Sequence, residues 1–313
     1  MSVVSAFVFP GQGSQTIGML SNLAKEHSII KNTFVEASDA LGYDLWQLIQ
    51  VGPKEQLDQT DKTQPAILTA SIALWRLWNE LGYMQPSYMA GHSLGEYSAL
   101  VAAGSVPFCE AVKLVELRGQ LMQKAVPVGQ GAMAAILGLT DEEVGSACVE
   151  AAQTQVVSAV NFNAPGQVVI AGNTEAVSRA IEICNAKGAK RALPLPVSVP
   201  SHCELMRPAA EEFTASLTSA TWKNPNIAIV QNVTAEVSRD LQTLKENLLA
   251  QLYSPVRWVE SVQLLAKLGV TSLVECGPGK VLGGLNKRCA KELANYSLDT
   301  PETFAAAVSA LKS

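Results

Sequence analysis

The sequence has little that would point to a membrane, a secretory route or a nucleic acid. In its 313 residues no apolar run is long enough to span a bilayer. The net charge of −5 provides no broad basic face for nucleic acid. The first nine residues carry no basic residue and are followed by Pro10-Gly11, so we expect no signal peptide. With 48% hydrophobic and 16% charged residues, the composition is that of a globular protein with one large domain, or one domain with an insertion.

Paired cysteines are also missing. The six cysteines are scattered along the chain, and no two of them form a C-x-x-C pair. We therefore expect no metal site, and dispersed reduced thiols are typical of a cytoplasmic protein. Residues 10–15 form a glycine-rich loop after a predicted strand at residues 3–9, but the dinucleotide-binding spacing fails, because the third glycine would fall at Thr16. This loop is better suited to providing one backbone N–H to a site.

Residues 89–96 read as a short apolar strand, a G-x-S-x-G turn and the start of a helix. Such a turn lifts a serine hydroxyl clear of the sheet and places it at a helix N-terminus, where unpaired N–H groups favour a developing oxyanion. Gly91 and Gly95 are needed because side chains there would collide with the neighbouring strand and helix. The pattern alone arises by chance in roughly one chain in ten of this length, but its strand and helix context makes Ser93 the leading nucleophile candidate.

A serine nucleophile needs a base, and the chain has only three histidines. His27 lies in a polar helical stretch typical of the surface. His92 precedes Ser93 on the turn, so its side chain should point away from the serine hydroxyl. His202, in a loop bounded by prolines, is favoured by elimination. The acids between residues 141 and 182 fall on predicted helices of an inserted domain, so we predict a Ser–His dyad without a triad acid.

Helical patterns are predicted at residues 21–40 and 45–49, and a longer helix extends from Pro65, in its first turn, to Leu81. In a further helix that follows Pro107, Arg118 lies in the middle of an apolar stripe. Its position alone favours a side chain that reaches out to water along its stem. Pairing with a buried anion stays open, because this helix follows the Ser93 turn directly.

The order of predicted elements at residues 127–198 is βαββαβ, which is the ferredoxin-like plan. We predict that this segment is a small α+β domain inserted into a larger one made of residues 1–126 and 199–313. In the larger part, strands at residues 227–231 and 270–275 alternate with helices. This pattern predicts an α/β domain with a mostly parallel sheet and helices on both faces.

Five ordered motifs resemble the malonyl-CoA:acyl-carrier-protein transacylases of bacterial fatty-acid synthesis. The resemblance covers the full length, and no functional position departs from the family pattern. It implies a hydrolase-like large domain, a ferredoxin-like insertion and an active site in the groove between them. The motifs are Phe9-Pro10-Gly11-Gln12-Gly13-Ser14-Gln15, Gly91-His92-Ser93-Leu94-Gly95-Glu96, Arg118, Pro200-Ser201-His202 and Glu275-Cys276-Gly277-Pro278-Gly279.

The resemblance also implies roles for individual residues. Ser93 is the acylated nucleophile and His202 its base. The main-chain N–H groups of Gln12 and Leu94 form the oxyanion hole. The guanidinium of Arg118 pairs with the malonyl carboxylate.

Three further residues follow from the same resemblance. The region of Gln251 supplies a main-chain carbonyl that orients His202 in place of a triad acid. Gln64 and Asn163 line the cleft. From the residues alone, Gln64 could simply precede the Pro65 helix, and Asn163 could be an ordinary turn residue.

The implied reaction is a ping-pong transfer from a coenzyme A thioester to the phosphopantetheine thiol of acyl carrier protein, with no metal or redox cofactor. Basic pairs at Lys190-Arg191 and Lys287-Arg288 are the candidate docking sites for the acidic carrier protein, although ordinary solvated charges are an equal alternative. Three other readings remain open: a serine hydrolase or thioesterase, a transacylase for another acyl unit, and a non-catalytic scaffold.

Overall fold

The computed structural model describes residues 4–197 and 199–311, so Val3, predicted as the first residue of a strand, lies outside them. The described strands are β1 Ser5–Phe9, β2 Tyr88–Gly91, β3 Gly131–Leu137, β4 Val157–Ala164, β5 Gln167–Asn173, β6 Arg191–Pro194, β7 Ala228–Val230, β8 Val237–Ser238, β9 Ser272–Glu275 and β10 Ala294–Ser297. The α-helices are α1 Ser21–Glu26, α2 Ser28–Leu41, α3 Leu45–Val51, α4 Lys54–Leu57, α5 Thr60–Glu80, α6 Gly95–Ala102, α7 Phe108–Ala125, α8 Asp141–Ala152, α9 Thr174–Ala186, α10 Arg207–Ser219, α11 Leu241–Ala250, α12 Trp258–Lys267, α13 Val281–Cys289 and α14 Pro301–Leu311.

The larger sheet has the strand order β10-β9-β1-β2-β7-β8. Neighbouring strands are parallel except β8, which pairs antiparallel with β7 at one edge. All five residues of β1 are buried, which is expected of a parallel strand covered on both faces. The predicted mostly parallel sheet is therefore confirmed.

Two apolar layers cover this sheet. Because side chains alternate along a strand, Phe7 and Phe9 point into one layer and Ala6 and Val8 into the other. The first layer contains α2, α5 and α7, and there the Phe7 ring packs edge-on against Trp78 at 5.1 Å between centroids. The second layer contains α12 and α13. Helices thus cover both faces, as predicted.

The smaller sheet has the order β4-β5-β3-β6, and all its neighbours are antiparallel. Helices α8 and α9 cover one face. With the chain order βαββαβ, this is the predicted ferredoxin-like arrangement. All four strands fall between residues 131 and 194. The division of the chain at 126/127 and 198/199 stays a prediction, and residue 198 lies outside the described part.

The two sheets are joined where the site will lie. The uncovered face of the smaller sheet packs Met133 and Val169 against Cys203, the residue after His202. Its edge strand β4 also pairs with the segment that follows α11: Val256 N–H donates to Val160 O at 2.8 Å, and Phe162 N–H donates to Val256 O at 3.0 Å. The Cys203 contact holds the loop that contains His202 against the smaller sheet, and the Val256 contacts hold the segment that follows Gln251.

Two helix predictions were wrong in detail. The helix predicted at residues 21–40 is broken at His27, whose extended backbone separates α1 from α2. Helix α5 begins at Thr60, so Pro65 lies inside it rather than in its first turn. The apolar pattern starts only at Pro65, whereas Thr63 and Gln64 are polar residues that tertiary contacts bury completely.

The start of α6 packs directly on β1, so we predict that a side chain at Gly95 destabilises the fold. A Cβ atom at Gly95 would lie 2.0 Å from the main-chain oxygen of Phe9. Since neither backbone can move freely, Gly95→Ala should lower the free energy of unfolding by about 3 kcal/mol or more. The control is Gly284→Ala in α13, where a Cβ meets no atom within 4 Å and should add up to about 1 kcal/mol. Denaturant unfolding measures both variants; equal stability of Gly95→Ala and wild type would contradict the packing.

Candidate active site

Ser93 lies on a strained turn between β2 and α6. Its φ is 51°, in the left-handed region that non-glycine residues seldom adopt. A Cβ at Gly91 would lie only 1.9 Å from the main-chain carbon of Gly95, so the turn closes only with glycine at that position. This confirms the predicted need for glycine at positions 91 and 95. The hydroxyl is thereby presented at the start of α6.

Ser93 and His202 are brought together by the tertiary fold. The distance from Ser93 Oγ to His202 Nε2 is 2.8 Å, and His202 Nδ1 lies 2.6 Å from the main-chain oxygen of Gln251. A carbonyl oxygen can only accept, so Nδ1 carries the ring proton and Nε2 is left to accept from the serine hydroxyl. This is the tautomer that a general base requires. Among the described residues no carboxylate bonds to His202.

The loop that carries His202 is anchored to the same segment. The His202 backbone has a φ of 67°, and its N–H donates to Leu252 O at 2.9 Å. Burial and the nearby Arg118 cation lower the pKa of His202 to about 3, while the hydrogen bond to Gln251 opposes this shift. The imidazole is therefore neutral at physiological pH, and Nε2 is available as an acceptor.

Arg118 is fully buried, with 0% of its surface exposed. The favoured expectation that its side chain reaches out to water is therefore wrong. Nη1 donates to Gln64 Oε1 at 2.8 Å, Nη2 donates to Gln251 Oε1 at 3.0 Å, and Nη2 lies 3.5 Å from Ser93 Oγ. None of the ion pairs among the described residues involves Arg118. A cation held by neutral amides beside a nucleophile is suited to receive an anionic group of a substrate.

The two residues expected to form the oxyanion hole come from different segments of the chain. Gln12 is exposed in the loop after β1 and lines the same cavity as Ser93 and His202. Leu94 is buried at the start of α6. In residues 4–197 and 199–311, neither main-chain N–H donates a hydrogen bond to another group. Their role as the oxyanion hole stays a prediction.

Asn163 has a different contact from the one expected. Its Oδ1 lies 2.7 Å from His92 Nε2, and the His92 ring packs beside Trp258 at 5.5 Å between centroids. The asparagine that lines the cavity is Asn161, two residues earlier on β4. A role of Asn163 toward substrate stays a prediction. The cavity is lined by both polar and apolar residues: Gln12, Thr60, His92, Ser93, Met133, Asn161, Leu195, Val197, Val199, Ser201 and His202.

Asn232 was not predicted as a site residue, but its side chain holds the backbone of the Gly91–Gly95 turn. Its Oδ1 accepts from Ser93 N–H at 2.7 Å, and its Nδ2 donates to Gly91 O at 2.6 Å. It follows β7, and the carboxyl ends of parallel strands are where sites form in α/β sheets. A polar residue directly after the predicted strand at residues 227–231, Asn232 itself, was the available signal.

From the sequence, only the acids between residues 141 and 182 were considered as triad acids. Glu96 also lies between Ser93 and His202 in the chain and was missed. It is 1% exposed, and burial raises the pKa of its carboxyl to about 7, while its hydrogen bonds oppose this shift. Its carboxylate accepts from Gln251 Nε2 at 2.8 Å and from Asn232 N–H at 3.1 Å. It does not bond to His202, so it is not a triad acid.

The described part of the chain contains no helix with both the length and the apolar character to cross a membrane. Nor do three or more His, Cys, Asp or Glu side chains gather there where they could hold a metal ion. The chain matches the family model "Acyl transferase domain" over residues 6–300. By this match the protein is an acyltransferase.

Relatives narrow this class. The malonyl CoA-acyl carrier protein transacylase of Escherichia coli strain K12 is 57% identical over 97% of this chain and 98% of its own length. A crystal structure of an acyl carrier protein S-malonyltransferase from Vibrio cholerae is 56% identical, with a TM-score of 0.95 over 97% of this chain and 99% of that one. A malonyl-transacylase solved in complex with a type II PKS acyl-carrier protein is 53% identical, with a TM-score of 0.97 over 98% of this chain and 99% of that one. The chain therefore belongs to the malonyl CoA-acyl carrier protein transacylase family.

The neutral His202 makes a prediction about the pH dependence of serine reactivity. An uncharged organophosphorus fluoride should label Ser93 at a rate that stays constant as the pH falls from about 8 to about 5.5, because the lowered pKa keeps the base deprotonated. A histidine with an ordinary pKa would lose half the rate near pH 6.5. Intact-mass spectrometry follows the label, and Ser93→Ala is the control. A midpoint near 6.5, or label on the variant, would contradict the site.

Proposed function

We propose that the protein transfers a malonyl group from malonyl-CoA to the phosphopantetheine thiol of acyl carrier protein, through an ester on Ser93. The observation that carries this is the buried guanidinium of Arg118, 3.5 Å from the nucleophilic oxygen and without an anionic partner among the described residues. A thioester carbonyl placed at Ser93 and an acyl carboxylate placed at Arg118 are separated by the single methylene of a malonyl group. Family membership and the carrier-protein complex of a relative support the same assignment.

In the first half-reaction Ser93 Oγ attacks the thioester carbon while His202 Nε2 takes the hydroxyl proton. The carbonyl oxygen becomes an oxyanion, which the N–H groups of Gln12 and Leu94 stabilise. Loss of one such donor costs about 3–4 kcal/mol in related acyl-transfer sites. The C–S bond then breaks, and the leaving thiolate takes the proton from His202 to give free coenzyme A.

The second half-reaction reverses these steps with a different thiol. The phosphopantetheine thiol, with a pKa of about 8.5, gives its proton to His202 and attacks the malonyl ester. The C–O bond breaks, and Ser93 recovers the proton from His202. One proton and one acyl group are exchanged in each half, so we propose that no metal or redox cofactor takes part. We also propose a cytoplasmic location, in line with six cysteines that are all free thiols in the structure.

A single experiment separates this function from hydrolysis. Incubation with malonyl-CoA and no acceptor should give a stable adduct of one malonyl group on Ser93, because the proposed second half-reaction needs a thiol and none is supplied. Intact mass and peptide mapping measure it, with Ser93→Ala as the control. Turnover to free malonate would indicate a thioesterase, and no reaction at all would indicate a scaffold.

Arg118 should decide which acyl group is transferred. A guanidinium binds a carboxylate with two parallel hydrogen bonds, and removal of one partner of a buried pair costs about 3–5 kcal/mol. Arg118→Ala should therefore lower kcat/KM for malonyl-CoA by roughly two to four powers of ten, with a far smaller effect on acetyl-CoA. The control is Arg76→Ala, since Arg76 pairs with Glu36 away from the cavity. A fall of less than about tenfold for malonyl-CoA, or an equal fall for both, would make Arg118 structural.

The carrier protein is proposed to dock on exposed basic residues near the cleft. Lys190, Arg191 and Lys287 are exposed. Arg288 is occupied, because its guanidinium donates to Gln167 Oε1 at 2.5 Å and to Pro165 O at 2.8 Å. It joins α13 to the turn between β4 and β5, and its replacement would disturb that contact. Arg191 and Lys287, one from each basic pair, are the residues to test.

Arg191→Glu or Lys287→Glu should raise the KM for acyl carrier protein at low salt, because the partner is acidic, and the difference from wild type should shrink as salt is added. Acylation by malonyl-CoA should not change. Lys31→Glu, an exposed lysine on α2, is the matched control. Steady-state kinetics of both half-reactions measures the effect; equal changes in the two halves would exclude this surface.

A further inference from the structure

Glu96 is a buried carboxylate that none of the reaction steps uses. It lies in the first turn of α6, three residues after Ser93, and is 1% exposed. Among the described residues, its carboxylate accepts hydrogen bonds from three neutral groups: Gln251 Nε2 at 2.8 Å, Asn232 N–H at 3.1 Å and Gln231 Nε2 at 3.3 Å. A buried charge has a high desolvation cost, so its presence beside the nucleophile calls for an explanation.

The contacts of Gln251 supply one. Its side-chain Nε2 donates to Glu96 and, at 3.1 Å, to Ser93 O, while its Oε1 accepts from Arg118 Nη2 at 3.0 Å. If this amide turned over, its NH₂ group would face the guanidinium and its oxygen would face the carboxylate. With Glu96 ionised, its carboxylate can only accept, and a guanidinium can only donate, so the turned amide would lose both bonds. The carboxylate of Glu96 thereby holds the amide in one orientation.

The same residue ties the acyl-group site to the base. The main-chain oxygen of Gln251 accepts from His202, and its side-chain oxygen accepts from Arg118. Glu96 and Arg118, both buried, lie on opposite sides of this one amide. Their attraction acts through a low-dielectric interior, where water does not screen it.

We propose that Glu96 is a positioning residue for acyl-group selection: it holds the Gln251 amide so that the oxygen faces Arg118, and this places the guanidinium to receive the carboxylate of the substrate. This inference rests on the proposed malonyl transfer. It assigns to the last residue of the G-H-S-L-G-E motif a function distinct from that of the nucleophile.

The test compares the ratio of kcat/KM for malonyl-CoA to that for acetyl-CoA, because a general loss of activity cancels in the ratio. Glu96→Gln replaces an acceptor-only group by one that both donates and accepts, and should lower the ratio at least tenfold. Gln251→Leu, which keeps the main-chain carbonyl for His202, should lower it similarly. In the double variant the two effects should not add, because one acts through the other.

The matched control is Glu275→Gln. Glu275 is also 1% exposed, but its carboxylate accepts from the Leu282 and Gly283 N–H groups at the start of α13, and it has no contact with Arg118 or Gln251 among the described residues. Its variant should keep the wild-type ratio. A loss of ratio in this control equal to that in Glu96→Gln would overturn the proposal.

The possible results distinguish failure of the Glu96 positioning role from failure of the proposed malonyl transfer. Absence of malonyl transfer by the wild-type protein would refute the proposed function. Normal malonyl preference in wild type together with an unchanged ratio in Glu96→Gln, or fully additive effects in the double variant, would refute only the positioning role. If Glu96→Gln does not fold, as judged by thermal unfolding, Gln251→Leu decides alone, and an unchanged ratio in that variant would overturn the inference.

Discussion

The hydrogen bond between His202 Nδ1 and the main-chain oxygen of Gln251 sets the tautomer on which the whole site depends. In a triad a carboxylate would do this and would also stabilise the imidazolium. Here a neutral carbonyl orients the ring without adding charge, so burial and the nearby Arg118 keep the base uncharged. No carboxylate of the described residues therefore competes at the base, and in the proposed function the negative charge at the site is that of the bound acyl group. In this proposal a carboxylate bound at Arg118 also offsets the cation that depresses the pKa of His202.

Most of the buried polar groups of the site are amides. Gln64, Gln251 and Asn232 each bridge a charge or a backbone group that would otherwise lack a partner. Amides satisfy hydrogen bonds in a low-dielectric interior at a smaller desolvation cost than charged groups. Arg118 can therefore stay buried and cationic without a carboxylate that would compete with the substrate. The carboxyl group of Glu96 does not contact Arg118 directly, because the side-chain amide of Gln251 lies between them.

The parallel sheet explains why these residues meet. Gln12, Ser93 and Asn232 follow β1, β2 and β7, which are neighbours in the sheet, so their loops emerge at the same edge. The smaller sheet covers this edge from above and is joined to the segment after Gln251 through Val256. Apolar residues such as Met133 then line the cavity together with Ser93 and His202.

The sequence by itself determined the local features: the elbow at Ser93, the buried strands, the βαββαβ order and, by elimination, His202. These depend on residue type and period over a few neighbours, which local sterics and burial control. The other roles, from Gln12 to Gln251, came through resemblance to a family. Only the tertiary structure decided what lies opposite each side chain. Periodicity placed Arg118 on an apolar stripe but could not show that amides from α5 and the end of α11 enclose it. For the same reason Glu96 and Asn232, each more than a hundred residues from a partner in this network, went unrecognised.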